Sequence, residues 1–294
     1  MPKIGRLARA LNEIVLAFSN EPHRVYSKTQ VADLLIRNRR TWRLGESTSI
    51  GNFILFLLKN GVLREHTFRS PAYKQKITRY SWGEASQLEL ALSLKPRAYL
   101  CHETALMLHG LAKFNQKTIY LNVEQSVKLN GTGSLTQEAI KRAFSGKQRK
   151  SNLIFTSERT SVVIVAGKNT SRLGVEEIAG PASETLQATN LERTLIDIAV
   201  RPAYAGGIAQ VRKAYRTAKG RMLVDRLLTI LNKLDYAYPY HQAIGFLMHN
   251  TGYPEESCAK LRALGLEYDF YLAHEMEEPQ YSENWRVFYP RKFR

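Results

Sequence analysis

Few residues in this chain of 294 stand at the spacings that chemistry requires. His102 and His109 are seven apart with Glu103 beside the first, so they share a helix face. A zinc-hydrolase helix needs its histidines four apart with a glutamate following the first, and this spacing misses it. His241 and His249 read as packed or surface histidines. Glu192 and Asp197 are five apart, with Arg193 next to Glu192. That suits a helix-capping acid and a local ion pair better than an acid–base couple. Asn130-Gly-Thr-Gly-Ser carries two glycines of a dinucleotide loop, but Thr136 stands where the third belongs. Gly167-Lys168-Asn169-Thr170 follows a strand as half a phosphate loop would. Val162 holds its first glycine position, however, and Asn169 the hydroxyl position. Both read as turns. No nucleophile sits with an orienting base. Cys101 and Cys258 are too few and too far apart in sequence for a disulfide framework or a metal site. The expectation is a protein that is not an enzyme and needs neither metal nor cofactor.

What the residues do offer is charge. There are 43 basic and 26 acidic side chains, a net charge of +17. Such an excess implies an anionic partner. It is graded along the chain: 15 basic against 5 acidic side chains in residues 1–82, 20 against 11 in 83–221, and 8 against 10 in 222–294. A uniformly basic ribosomal-type protein would not be graded in this way. Hydrophobic content of 44% and charged content of 23% are ordinary for a globular protein, and the length suggests about two domains. The sparse cysteines point to a reducing cytoplasm. The longest apolar run, Phe53 to Leu58, is far too short to span a bilayer. The basic, amphipathic N-terminus lacks the apolar core and cleavage site of a secretory signal. It reads as a helix over 4–18 with Ile4, Leu7, Leu11, Val15 and Phe18 on its buried stripe, rather than as a transit peptide.

The elements that would position an anion-binding surface follow at once. Ser27-Lys-Thr-Gln30 is a capping box, in which Ser27 accepts from the Gln30 N–H and the Gln30 side chain reaches back. It opens a helix whose inward residues are Val31, Leu34 and Leu35. A second helix follows, with Ile50, Phe53, Ile54, Leu57 and Leu58 at helical spacing. Its outer side carries Thr48, Ser49, Gly51, Asn52 and Lys59. Asn60-Gly61 ends it, Gly61 suiting a left-handed cap. Val62–Phe68 and Ile77–Trp82 read as strands around a loop with three cations. Three helices and a basic hairpin make a winged helix-turn-helix over residues 1–82. Thr48, Ser49 and Asn52 are the candidates for base edges. Lys59 flanks them, and Arg37, Arg39, Arg40, Arg43, Arg69, Lys74, Lys76 and Arg79 are the candidates for phosphates. The alternative is a helical hairpin with a solvated basic turn.

Residues 83–294 read as a mixed α+β module, mainly helical after a further division near residue 221. Helices are expected at 84–94, 102–110, 137–144, 191–199, 208–219, 223–234 and 241–250. Thr189 or Asn190 caps the 191–199 helix, and Gly206-Gly207 opens the next. Strands are expected at 118–123, 153–156, 161–165, 174–178, 268–272 and 285–289. The basic middle (Lys141, Arg142, Lys147, Arg149, Lys150) is either a second electrostatic surface or a solvated one. The C-terminal aromatics, among them Tyr236, Tyr238, Tyr240, Phe246, Tyr253, Phe270, Tyr271, Trp285, Phe288 and Tyr289, are either core or a protein interface.

Four stretches in order carry a resemblance. They are the N-terminal winged-helix pattern, Tyr99-Leu-Cys-His-Glu-Thr-Ala-Leu-Met-Leu-His-Gly110, Asn190-Leu-Glu-Arg-Thr-Leu-Ile-Asp-Ile-Ala199, and Tyr238-Pro-Tyr-His-Gln-Ala-Ile-Gly-Phe246 with Tyr268-Asp-Phe-Tyr-Leu272. Over nearly its full length the chain resembles the AbiEi family of antitoxins, from bacterial abortive-infection systems classed as type IV toxin–antitoxin pairs. The Leu-Glu-Arg-Thr-Leu-Ile-Asp segment is the most specific piece, and it marks Glu192, Arg193 and Asp197 for a structural or antitoxin role. The resemblance implies that the winged helix binds inverted repeats in its own promoter as monomer or dimer and represses it. It also implies that residues 83–294 counteract a nucleotidyltransferase-like toxin without a stable complex. Some relatives end in a nuclease-like domain. The tail here has no acidic metal-binding cluster followed by a lysine, so that activity is not carried over. A defence-associated adaptor that docks on DNA or protein without regulating a promoter is the alternative.

Overall fold

The computed structural model describes residues 5–113, 117–127, 134–158 and 160–293 and belongs to the mixed α+β class. The chain divides into two compact units, Met1–Ala98 with Leu153–Val162, and Tyr99–Asn152 with Val163–Arg294. It begins with α1 (Arg6–Arg9), α2 (Leu11–Ser19), β1 (Val25–Tyr26), α3 (Lys28–Asn38) and α4 (Ile50–Lys59). Then come β2 (Leu63–Ser70), β3 (Gln75–Trp82) and α5 (Gln87–Leu92). Next are β4 (Tyr99–Leu100), α6 (His102–Leu108), β5 (Thr118–Glu124) and α7 (Gln137–Ser145), after which β6 (Ile154–Thr156) belongs again to the first unit. The chain continues with β7 (Ser161–Gly167), β8 (Val175–Ala179), β9 (Thr185–Thr189), α8 (Leu191–Val200) and α9 (Ile208–Ala218). It closes with α10 (Val224–Leu234), α11 (Tyr240–Asn250), α12 (Glu255–Arg262), β10 (Phe270–Tyr271), β11 (Gln280–Ser282) and β12 (Val287–Tyr289).

In the first unit the strands run in the order β1-β3-β2-β6. β2 and β3 are antiparallel from Leu63↔Trp82 to Ser70↔Gln75, and β6 joins β2 at Arg69↔Thr156. Ile14, Phe18, Leu34, Phe53 and Leu57 pack with Leu63 and Tyr80 into one core. The N-terminal segment differs from the single helix expected over 4–18. It breaks at Ala10, whose N–H closes the first turn on Arg6 while its carbonyl starts the second through Ile14. That break re-phases the stripe: Ala10, Ile14 and Phe18 are buried, and Val15 is 37% exposed. Ile4 lies outside the described residues. Gly61 takes the left-handed conformation (φ 68°) and donates to the Leu58 carbonyl at 3.1 Å, ending α4 without a Cβ penalty.

In the second unit the strand order is β7-β5-β4-β9-β8, with a separate three-stranded sheet β10-β12-β11. Helix α8 is the hub, touching α6, α9, α10 and α11, and Leu195, Ile196 and Ile198 on it are fully buried. Gly206 and Gly207, both at positive φ, turn the chain from the end of α8 into α9. Among the C-terminal aromatics, Phe246, Tyr253, Phe270 and Trp285 are core, while Tyr236, Tyr238, Tyr240, Tyr271, Phe288 and Tyr289 are half-buried. Gly245 on α11 lets the Trp285 ring lie against the helix where a Cβ would collide with it. Cys101 and Cys258 are free and buried. Among the described residues, no helix is long and apolar enough to cross a membrane. Residues 129–133, which hold the glycines of the dinucleotide-like patch, lie outside the described residues.

Candidate nucleic-acid surface and buried ion pair

Helix α3 is fixed as its sequence requires. Ser27 Oγ accepts from the Gln30 N–H at 3.2 Å, and the Gln30 side chain accepts from the Ser27 N–H at 2.7 Å. The connection to α4 is better anchored than a basic turn. Trp42 and Leu44 are buried in it, and Trp42 stacks on Phe53 with centroids 5.7 Å apart. Arg39 holds the same connection, donating to the Gly45 carbonyl at 2.6 Å and the Thr48 carbonyl at 3.2 Å. Ser49 caps α4, its Oγ accepting from the Asn52 N–H at 3.2 Å.

These anchors sort the candidates. Arg40, Arg43, Ser49, Asn52, Lys59, Arg69, Lys74 and Lys76 are exposed, and Thr48 is half-buried. Arg37 is exposed as well, but pairs with Glu21 at 2.9 Å. Arg39 and Arg79 are half-buried and engaged on carbonyls. Arg79 donates to Ser93 O through Nε (2.9 Å) and Nη2 (2.8 Å), and to Thr78 O at 2.9 Å. Ser93 follows α5, so this guanidinium serves carbonyls that the helix end leaves unpaired. Sequence reasoning missed one residue on the outer face of α4. Leu55 is 55% exposed and lies between Asn52 and Lys59 on the same side, an apolar contact of the kind a thymine methyl accepts. At the hairpin Arg69 stands directly opposite Lys76, and Lys74 sits at φ 51° in the connecting turn. Like charges at a cross-strand pair repel unless an anion lies between them.

In the second unit the residues of the Leu-Glu-Arg-Thr-Leu-Ile-Asp segment are buried and partnered. Asn190, not Thr189, caps α8, accepting from the Arg193 N–H at 2.9 Å. Arg193 Nε donates to Asp197 Oδ1 at 2.8 Å, with the two side chains 6% and 8% exposed, and Arg193 Nη1 donates to the Leu173 carbonyl at 2.7 Å. Burial is the largest influence and works against the Arg193 charge, but Asp197 together with Tyr236 and Tyr99 outweighs it, so its pKa stands above the ordinary guanidinium value. Glu192 accepts from the Leu223 N–H at 3.0 Å, where α10 begins. The three residues hold α8 to its neighbours and do not converge as an acid–base pair.

Nor do the other polar candidates converge. His102 is buried at φ 50°, with Nδ1 3.0 Å from Cys101 Sγ; burial pushes its pKa down to about 4. His109 is bonded to the Thr189 carbonyl at 2.8 Å and His241 to the Gly265 carbonyl at 2.6 Å. Lys168 donates to the carbonyls of Leu234 (3.0 Å) and Asp235 (2.7 Å), pinning the end of α10. Among the described residues, no three His, Cys, Asp or Glu side chains gather as metal ligands would.

One cavity of the second unit does gather charge. An open cleft of about 870 Å³ is lined by Arg142, Lys147, Arg149 and Arg201 together with Phe144, Tyr236, Tyr238, Tyr240 and His274. A smaller cavity of about 100 Å³ shares Val200, Arg201 and Tyr236 with it, and Arg193 and Asp197 line its wall. The basic middle and part of the aromatic tail, more than 80 residues apart in the chain, thus meet at one place.

Neither a family model nor a curated protein sequence matches the chain. Among solved structures it is similar to the crystal structure of the RV2827C protein from Mycobacterium tuberculosis. The two share 16% sequence identity at a TM-score of 0.55, over 95% of this chain and 91% of that one. At that identity the likeness is one of fold.

Proposed function

We propose that the protein is a DNA-binding repressor of its own promoter that also acts as a type IV antitoxin of the AbiEi kind. In this reading α2, α3 and α4 with the β2–β3 hairpin form a winged helix-turn-helix. Helix α4 enters the major groove and presents Asn52 and Leu55 to base edges. Lys59, Arg40 and Arg43 reach the flanking phosphates, and the hairpin places Arg69, Lys74 and Lys76 on the backbone alongside. Arg39 and Arg79 are assigned to holding the fold rather than to phosphates.

One observation carries the DNA-binding half. The outer face of α4, the connection before it and the hairpin end expose six cations, including a directly opposed Arg69/Lys76 pair, and no ion pair among the described residues engages any of the six. The antitoxin half rests on the resemblance of the four stretches and on the closed, partnered state of Glu192, Arg193 and Asp197. It assigns those three to holding the second unit in shape.

The test is a mobility shift of the full chain on its own upstream DNA against scrambled DNA of equal length, at two salt concentrations. Preference for the upstream DNA that weakens with salt is the expected result. Equal, weak retention of both would overturn the repressor reading and favour the adaptor. For the second half, co-expression with the product of an adjacent nucleotidyltransferase-like gene should restore growth, and should still do so in an Asn52→Ala/Arg40→Ala variant.

A further inference from the structure

Several cations of the second unit are paired with carboxylates, and of those that no ion pair among the described residues engages, four share one cleft. Arg193, Arg226, Lys260, Arg262, Arg286 and Arg291 each lie within ion-pair distance of a carboxylate. Arg142, Lys147, Arg149 and Arg201 line the 870 Å³ cleft, and none of the ion pairs among the described residues engages them; no Asp or Glu lines the cleft either. Four cations gathered without a counter-charge raise one another's free energy, and a bound polyanion removes that cost. Several tyrosine hydroxyls of the second unit are engaged as well. The hydroxyls of Tyr204, Tyr215, Tyr253, Tyr268 and Tyr281 are all hydrogen-bonded. No hydrogen bond among the described residues engages those of Tyr236, Tyr238 and Tyr240, which line the cleft. Beside them His274 is stacked on the buried Phe144 ring, centroids 4.5 Å apart and planes 22° apart, so its plane is held by the core.

We propose that this cleft is a second binding site, for single-stranded nucleic acid. Phosphodiesters lie along Arg142, Lys147, Arg149 and Arg201, and one or two bases lie against Tyr238 and His274, with the free tyrosine hydroxyls toward base edges. Unpaired cations beside aromatic rings in one cleft are what a strand with unstacked bases recognises. A free nucleotide fits less well. The cations come from three separate segments (α7, the loop after it, and the end of α8), and no glycine lines the cleft to supply the backbone N–H cradle of a terminal phosphate.

The experiment uses the full chain and a labelled twelve-nucleotide oligo(dT) or oligo(U), read by anisotropy. In the Arg142→Glu/Lys147→Glu/Arg149→Glu variant all three changed side chains are exposed and engaged in no ion pair, so the fold should hold; strand affinity is expected to fall at least tenfold. Tyr238→Leu/His274→Ala is expected to cost about 5- to 150-fold, the range for one lost base stack. Asn52→Ala/Lys59→Gln, on the outer face of α4, should leave strand affinity within twofold, which separates this site from the duplex-reading one. A 4-thiouridine strand should crosslink to the peptides holding residues 236–240 or 271–276. Unchanged affinity in the charge-reversed variant with crosslinks confined to the first unit would overturn the proposal. So would equal or tighter binding of ATP or of a poly-glutamate peptide with the same sensitivity, the first making the cleft a nucleotide pocket and the second an acidic-peptide groove.

Discussion

The sharpest prediction concerns the hairpin. Arg69, Lys74 and Lys76 are exposed, and Arg69 faces Lys76 across the strands. Replacing all three by glutamine removes three phosphate contacts if the hairpin lies on a duplex. Each contact contributes about 0.9 to the slope of log affinity against log salt, so the slope should become shallower by about 2.7. Between about 50 and 200 mM salt, wild type should lose roughly 40-fold more affinity for its upstream duplex than the variant does. Folding stability should hardly move, and relief of the Arg69/Lys76 repulsion is worth only tenths of a kcal/mol. Arg79→Gln is the contrast. Its guanidinium is bonded to the Ser93 carbonyl through two nitrogens, so losing it should cost about 1–2 kcal/mol of stability, a charge-assisted bond discounted for partial exposure. Its salt slope should stay at the wild-type value. Anisotropy titrations at four salt concentrations, with urea unfolding of each variant, give all the numbers. An unchanged slope in the triple variant, or an equal drop in Arg79→Gln, would refute the assignment of these cations.

Three further outcomes follow from the second unit. Asp197→Asn leaves Arg193 buried with its charge uncompensated and should cost about 3–5 kcal/mol, whereas Arg193→Met/Asp197→Leu should recover much of it; in a Trp42→Phe/Trp82→Phe background, Trp285 fluorescence reports this unfolding alone. Gly245→Ala should destabilise by about 1–3 kcal/mol despite alanine's higher helix propensity, because its Cβ meets the Trp285 ring; an unchanged melting temperature would show that the ring moves freely. His102, held down to about 4 by burial, is neutral when folded and ionises near 6.5 when unfolded. The stability this gives is complete above about pH 6.5 and is lost as pH falls toward 4, by about 3 kcal/mol in all. His102→Asn, which tolerates positive φ, should flatten that part of the stability–pH curve.

How much of this was legible depends on the range of the interactions. The capping box at Ser27, the inward set of α4 and the α8 helix depend on neighbours within a turn or two, and the structure places them where the pattern does; of the two caps the pattern allows for α8, Thr189 and Asn190, it takes Asn190. The break at Ala10 is a matter of packing, and apolar spacing alone continues straight through it. Arg39 and Arg79 look in sequence like two more cations for phosphate; the carbonyls they meet are set by tertiary structure. β9 and α12 carry weak local signals for different reasons. β9 (Thr-Leu-Gln-Ala-Thr) is short, and α12 buries only Cys258 and Leu261. The cleft could be read only in part. Three of its four cations stand in one run, but nothing local brings Arg201 or residues 236–240 beside residues 142–149.

The return of residues 153–162 to the first unit bears on how the molecule comes apart. A fragment ending at Ala98 would lack β6 and leave the edge of β2 unpaired at Arg69, an open strand of the sort that recruits other chains. A fragment beginning at Tyr99 would carry β6 without its partner. Dissection by truncation should therefore yield aggregating pieces even though each unit has its own core. Joining Ala98 through a short flexible linker to Leu153–Val162 is the cut that respects the connectivity. During synthesis the same topology leaves β2 without its β6 partner until more than half of the chain has been made.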